Sequence, residues 1–515
     1  MDFTLGIDLG TTGVRALLIN SNGDVVASSD ASYPLLTPRP YWAEQEPELW
    51  WQATVTSIKD CLSSAEQAIG GKVGVAAVGL SGQMHGSVFL GSQGDVLRPA
   101  ILWNDQRTAD QCAQITAIVG EERLIRLTSN RALAGFTAPK ILWLKQNEPD
   151  IYAQVNKILL PKDYLRYRLT GAMATEVSDA SGTLLFNVRE RKWSEEMLQA
   201  LELPPAWMPE CSESVAISGH ISRESAVLTG LASGTPVVGG AGDQAAGAVG
   251  NGIVSTGKAS CVLGTSGVLF WHCDTYTYDP QARLHSFCHA VPGKWHLMAV
   301  TMAAGGSLRW FRDSLCQDIK EQARAEGIDP YEIITEMAGR IAAGSEGLLF
   351  LPYLAGERTP HANPHATSAF IGLTLRHTRA HLARAVMEGI TLSLRDCMEL
   401  GRKCGATAPV ISFSGGGARS DLWRQMAADI LGVGVQRMNS DEGPAYGAAI
   451  LANVGAGLHR SVEDACATFI KVKNSLQPDS AAAERYLNLY RLYTSLYPSL
   501  LGFYEQNASF IKRYS

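Results

Sequence analysis

One short turn is written twice in this chain: Leu9-Gly10-Thr11-Thr12-Gly13-Val14 returns as Leu263-Gly264-Thr265-Ser266-Gly267-Val268. Each copy lies between two apolar runs of strand-forming residues, Phe3 to Leu9 and Val14 to Ile19 in the first, Ala259 to Leu263 and Val268 to His272 in the second. Each is therefore read as the tip of a β-hairpin. Two glycines flanking two hydroxyl residues leave backbone N–H groups and O–H donors uncovered, a surface suited to phosphate oxygens. Repetition of such a tip points to two related domains gripping one polyphosphate.

At 515 residues the chain exceeds a single core, since domains run to roughly 150 residues. The glycine-rich stretch from Gly234 to Gly257 marks the expected boundary, which gives residues 1–247 and 248–515. A formal charge of −6 offers no basic face to nucleic acid or to an anionic membrane. The expected partner is a small molecule. No apolar run is long enough to span a bilayer and the first residues carry no signal-peptide pattern, so a cytoplasmic protein is expected. Ten cysteines without a CxxC pair read as reduced thiols. The pairs His285/His289, His361/His365 and His377/His381 lack the Glu of HExxH and are not read as metal sites.

Pro47 opens a helical stretch with Trp51, Val55, Ile58 and Leu62 on one stripe. Val73 to Leu80 reads as a buried strand ending in the loop Ser81-Gly82-Gln83-Met84-His85-Gly86. Alternation of strand, helix and strand is the α/β pattern in which ligands meet the loops at strand ends. Pro409 to Ser414 reads as another strand, running through Gly415-Gly416-Gly417 into a helix with free N–H groups at its start. Ala481 to Phe503 reads as a packed helix.

Asp8 interrupts an apolar strand next to the first tip. It either faces water, pairs with Arg15, or serves a divalent cation beside the phosphate cradle. Asp243, in Gly239-Gly240-Ala241-Gly242-Asp243-Gln244, is a turn residue or a base that takes a proton from a hydroxyl nucleophile. Met84 and His85 are structural or bond sugar hydroxyls. Trp103-Asn104-Asp105-Gln106-Arg107 is a strand-end turn or part of a polyol site, and Gly356-Glu357-Arg358-Thr359-Pro360 reads as a salt-bridged turn. Gly252 to Lys258 matches GxxxxGK, but Ala259 follows where Ser or Thr would hold Mg²⁺, and a strand follows where a helix is needed.

Taken in order, several segments resemble the FGGY family of carbohydrate kinases, within the actin-like ATPase superfamily. They are Gly6-Ile7-Asp8-Leu9-Gly10-Thr11-Thr12, Phe136-Thr137-Ala138-Pro139-Lys140-Ile141-Leu142-Trp143, Leu159-Leu160-Pro161-Lys162-Asp163-Tyr164-Leu165 and Gly242-Asp243-Gln244. Gly264-Thr265-Ser266-Gly267, the segment 356–360, Ala385-Val386-Met387-Glu388-Gly389 and Gly415-Gly416-Gly417-Ala418-Arg419-Ser420 continue the resemblance over nearly the whole chain. It implies two actin-like (ribonuclease H-like) α/β ATPase domains with a catalytic cleft between them. Residues 1–247 would bind sugar and carry the first tip, and residues 248–515 would bind nucleotide.

The resemblance further implies ATP and Mg²⁺ as cofactors, Asp243 as catalytic base, and Asp8 as an acid important for activity that holds the metal through water. Met84, His85, Asp243 and Gln244 would contact the sugar. Thr11, Thr12 and Arg15 would meet the transferred phosphate, and Thr265, Gly305, Gly417 and Asp421 would border the nucleotide. Gly82 to Gly86, Leu102 to Asp105 and Pro139-Lys140 are similar to motifs of ketopentose-phosphorylating members, which implies D-xylulose as acceptor and D-xylulose 5-phosphate as product. Ribulose, L-xylulose, gluconate and glycerol remain alternative acceptors, and a homodimer is implied by family habit. A nucleotide-driven binding protein of actin or chaperone type shares the two tips but has no use for the Gly-Asp-Gln segment.

Overall fold

The computed structural model describes residues 2–439 and 442–514. Strands β1 (Phe3–Leu9), β2 (Gly13–Ile19) and β3 (Val25–Ser32) form an antiparallel meander, and β4 (Val75–Gly82) lies parallel to β1. Strands β5 (Ile217–His220) and β6 (Pro236–Val238) complete the order β5-β6-β4-β1-β2-β3, with the short β7 (Ala241–Gly242) also on β4. The second half repeats this plan. Strands β8 (Lys258–Leu263), β9 (Gly267–Cys273), β10 (His285–Cys288) and β11 (Trp295–Thr301) are antiparallel neighbours, and β12 (Val410–Ser414) and β13 (Gly434–Met438) extend β8 in parallel. Strand β14 (Val472–Leu476) closes the far edge antiparallel to β13. Order and direction therefore correspond between β3-β2-β1-β4-β6-β5 and β11-β9-β8-β12-β13-β14. The doubled turn is the local trace of a doubled sheet.

Both faces of the first sheet are covered, which is why β1 reads as a continuous apolar run. Leu5, Ile7, Val14 and Leu18 pack with Trp50 and Ile58 of helix α1 (Pro47–Ile69). Trp50, Thr54 and Cys61 join the buried stripe of α1, whereas Val55 is only partly buried. The opposite face, with Leu17, Ile19 and Ala77, packs with helices α2 (Asp243–Gly250) and, later in the chain, the helix Gly443–Gly455. With α3 (Gly305–Leu315) and α4 (Asp421–Leu431) between them, the latter is α5. The last helix, α6 (Ser480–Tyr514), runs further than the expected 481–503 and buries Tyr486, Leu489, Tyr493 and Tyr504.

Helix α5 thus returns from the second half to the first sheet, backbone against backbone. A Cβ on Gly6 would stand 1.9 Å from Ala445 O, one on Gly79 1.9 Å from Ala448 O, and one on Gly447 1.8 Å from Ala246 O. Only glycine permits this approach. The glycine-rich stretch around residue 247 accordingly serves helix packing, and the 247/248 boundary falls inside α2 rather than in a linker. No helix among the described residues is long and apolar enough to cross a membrane.

Candidate active site

At the first tip, every carbonyl from residue 10 to 13 is taken inside the protein. Gly10 O accepts the Tyr33 hydroxyl at 2.5 Å, Thr11 O accepts Gln45 Nε2 at 2.7 Å, Thr12 O accepts Tyr33 N–H at 3.2 Å and Gly13 O accepts Gly10 N–H at 2.9 Å. The second tip is tied in the same sense: Gly264 O accepts Gly305 N–H at 2.8 Å, Thr265 O accepts those of Ala304 at 2.9 Å and Gly306 at 3.0 Å, and Ser266 O accepts Gly264 N–H at 3.0 Å. Among the described residues the N–H groups of Thr11, Thr12, Thr265 and Ser266 have no protein acceptor. Acceptors turned inward and donors left open make each tip attractive to an anion. Gly305 is part of the device, because a Cβ there would stand 2.4 Å from Gly264 O and push α3 off the tip.

Two carboxylates meet beside the first tip. Parallel register sets Asp8 beside Ser81 and Ser81 beside Ala241, so three strands end together and α2 begins at Asp243. Arg15 faces Asp8 across the hairpin but pairs with Asp30 at 2.8 Å and Glu442 at 2.8 Å. Asp8 Oδ1 is left buried without a hydrogen-bond partner. Burial pushes the Asp8 carboxyl up to about 6, with Ser81 and Arg15 opposing more weakly. Asp243 rises to about 7, through burial first and the neighbouring Asp8 charge second, against weaker pulls from Gln244. Burial, and for Asp243 also the like charge beside it, disfavour the ionised forms.

A cleft of about 360 Å³ runs from Asp243 and Gln244 past Gly247 and Asn251, along Val262, Val268 and Phe270, to the loop Ser414 to Arg419. A second cavity, of about 570 Å³, gathers Asp8, Thr12, Arg15 and Asp30. Gly443 and Pro444 border both. The N-terminus of α5, with Pro444 in its first turn where no helical N–H is lost, therefore stands between the two spaces with the positive end of its dipole. Arg419 lies in a segment that carries the family resemblance, whereas no sequence pattern above points to Asn251, Gly443 or Pro444. A Gly-Pro start to an alanine-rich run was the available signal for the last two.

The loop Gly82 to Gly86 abuts the acids. Met84 is buried, and a Cβ on Gly242 would stand 2.8 Å from its Sδ, so the glycine before Asp243 is what admits this side chain. His85 has φ +68°, the left-handed region that residues with a Cβ seldom occupy. Its Nδ1 lies 2.8 Å from Gly182 O; a carbonyl only accepts, so Nδ1 carries the proton and Nε2 is an acceptor. Burial first, then the Lys140 charge, hold the ring's pKa down at about 3. Trp103 Nε1 donates to Thr11 Oγ1 at 3.0 Å, and Gln83 Nε2 donates at 3.1 Å to Gln45, which in turn holds Thr11. Loop and tip form one hydrogen-bonded unit.

Thr11, Thr12, Arg15 and Asp8 are thus brought together, as are Met84, His85, Asp243 and Gln244, while Thr265 and Gly305 meet at the second tip. Gly417 sits behind the cleft loop, where a Cβ would strike Leu263 Cδ2 at 1.9 Å. Asp421 does not line the cleft; it is an exposed first-turn residue of α4 paired with Arg424. The glycine run does not open that helix. Gly415, at φ +86°, turns the chain tightly past Leu263 O, residues 416–419 form a short 3-10 turn, and α4 starts under the Ser420 hydroxyl, which accepts Trp423 N–H. Glu357 and Arg358 do not form the expected ion pair. The Glu357 carboxylate is buried and accepts the backbone N–H groups of Met302 at 3.0 Å and Arg358 at 2.8 Å instead.

The sequence matches the FGGY family of carbohydrate kinases in both its parts, the N-terminal domain over residues 3–250 and the C-terminal domain over residues 259–456. A xylulose kinase of Escherichia coli (strain K12) is 42% identical over 501 residues, covering 96% of this chain and 99% of its own length. A gluconokinase of Bacillus subtilis (strain 168) is 32% identical over 519 residues, covering 99% of this chain and 98% of its own. The solved structure of a xyloylose kinase from Brucella ovis is similar with a TM-score of 0.89 at 35% identity, covering 97% of this chain and 100% of that one. Both family domains are present in order, on a doubled fold, and the chain belongs to the FGGY family of carbohydrate kinases.

Proposed function

We propose that this sugar kinase transfers the γ-phosphoryl group of ATP to the terminal hydroxyl of D-xylulose, giving D-xylulose 5-phosphate. Asp8 and Asp243, delivered by adjacent strand ends between anion-binding tips and the Met84–His85 loop, carry this assignment. Phosphoryl transfer asks a protein mainly for in-line positioning and charge stabilisation. The open N–H groups of both tips and the N-terminus of α5 hold phosphate oxygens. Met84 and His85 Nε2 position the sugar, with Gln244 beside them, and Asp243 takes the proton of the attacking hydroxyl. Its raised pKa suits a base working near neutral pH. The E. coli xylulose kinase supports the choice of acceptor.

The residues present fit Mg²⁺. Asp8 Oδ1 has no partner, and no group of three His, Cys, Asp or Glu among the described residues forms an all-protein cage. One or two carboxylates plus substrate phosphates is how this ion is usually held, with several of its waters retained. When bound beside Asp8 it supplies neutralising charge for the phosphates.

A coupled ADP-release assay over D-xylulose, ribulose, L-xylulose, gluconate and glycerol tests the acceptor. D-xylulose should give the highest kcat/KM, by roughly tenfold or more, because unmatched hydroxyls leave site groups unpaired. Gluconate ranking first would overturn the assignment in favour of the second relative's chemistry.

A pH profile tests the base. Ionised Asp243 is required, so kcat/KM should fall on the acid side of about pH 7. Activity that stays level well below pH 7 would remove Asp243 from the role of base.

A further inference from the structure

We infer that Thr137 and Lys140 are positioning residues for acceptor recognition: together they grip the His85 carbonyl and so fix the imidazole that meets the sugar. This rests on reading His85 as a sugar contact. Thr137 and Lys140 stand at i and i+3 at the start of the helix Thr137–Asn147, on one face. Thr137 Oγ1 and Lys140 Nζ each donate to His85 O at 3.0 Å, and Lys140 donates also to Gly135 O.

Both side chains are buried, Lys140 completely. Among the described residues no carboxylate forms an ion pair with Lys140. Burial pushes the Lys140 amine down to about 7, against a weaker pull from the Asp105 charge, and a leucine or methionine would fill the same space more cheaply. What the amine adds is donation to two carbonyls, and one of them belongs to the residue with φ +68°. A non-glycine residue stays in that region only where its surroundings over-determine it.

His85 meets that condition from both ends. Its carbonyl is held by two donors and its Nδ1 by Gly182 O, while Gly86 N–H closes back on Met84 O at 2.9 Å. Gly182 has no room for a side chain, since a Cβ would stand 2.5 Å from the ring. Nε2 is the one ring nitrogen left for a ligand, and the adjacent ammonium helps keep it unprotonated as an acceptor. A clamp with a purely structural purpose would not need to concentrate on the backbone oxygen of this residue.

Thr137→Val, which keeps shape and loses the hydroxyl, Thr137→Ser, which keeps the hydroxyl, and Lys140→Met separate positioning from stability. With D-xylulose and ATP varied in turn, Thr137→Val should raise the sugar KM by roughly 3- to 10-fold and Lys140→Met by roughly 10- to 100-fold. kcat and the ATP KM should stay within about twofold of wild type, the pattern of lost acceptor binding. Thr137→Ser should return close to wild type. An unchanged sugar KM with a fall in kcat, an equal rise in the ATP KM, or Thr137→Ser behaving as Thr137→Val would overturn the proposal. If Lys140→Met does not fold, the Thr137 pair decides alone. If wild type turns over another acceptor better, the variants are measured with that acceptor; a selective KM rise there upholds the clamp while the D-xylulose assignment falls.

Discussion

Asp243→Ala should lower kcat for sugar phosphorylation by about 10²- to 10⁴-fold, the usual worth of a positioned general base, and ADP should still bind. Among the described residues the neighbouring carboxylate charge is that of Asp8, which is fixed at the end of β1 with its own environment. Gln244 cannot accept a proton. Asp243→Asn keeps the shape and loses the base, so it should be as inactive as the alanine variant, with steady-state kinetics and calorimetric ADP titration as the two readouts. Nearly full activity in either would remove Asp243 from the role.

The same substitution should stabilise the protein at alkaline pH. The folded-state pKa of Asp243, about 7, lies above the ordinary carboxylate value of 3.8, so the folded state binds the proton more tightly than the unfolded state. Ionising the wild-type residue therefore lowers stability as pH rises through about 7. Asparagine escapes that loss, so its thermal midpoint should exceed that of wild type at pH 8 and approach it near pH 4.

Gly447→Ala has the second large effect, on folding rather than chemistry. Its new Cβ would lie 1.8 Å from Ala246 O, a backbone atom that no rotamer change can move. Helices α2 and α5 must separate, and Gly6 and Gly79 show that α5 lies just as close to the first sheet. A destabilisation of about 3 kcal/mol or more is expected, at the severe end for overpacking. Gly502→Ala is the control: it sits in α6 with nothing within 4 Å of the added carbon, and a helical alanine should stabilise by about 0.5–1 kcal/mol. Denaturant midpoints of the two variants should move in opposite directions. If Gly447→Ala unfolds like wild type, the helix contact is not the constraint described above.

The two hairpins, β4, β12 and the start of α1 were legible because apolar runs, turn residues and a first-turn proline act locally. Asp8 and Asp243 stood out because each breaks an apolar or glycine-rich context. Their coupling did not, since it depends on β1, β4 and β7 ending side by side. The docking of α5 was hidden for the same reason: Gly6 and Gly79 look like ordinary strand glycines until the partner helix is known. Lys140 lies within Thr137-Ala138-Pro139-Lys140-Ile141-Leu142-Trp143, and nothing local says that its amine turns inward. Glu357 and Arg358 looked like an ion pair because adjacent opposite charges suggest one, whereas backbone N–H groups nearby satisfied the acid first.

The return of α5 also sets an order of events on the ribosome. The strands of the first sheet are translated first, but α2 supplies only part of the wall that covers Leu17, Ile19, Ala77 and Val238, and residues 443–455 supply much of the rest. The leading half of the chain therefore leaves the exit tunnel as a sheet with one apolar face partly open, and its completion waits for nearly the whole message to be read. Translation speed across the second half, and chaperones able to shield one sheet face, become part of how this kinase reaches its native state.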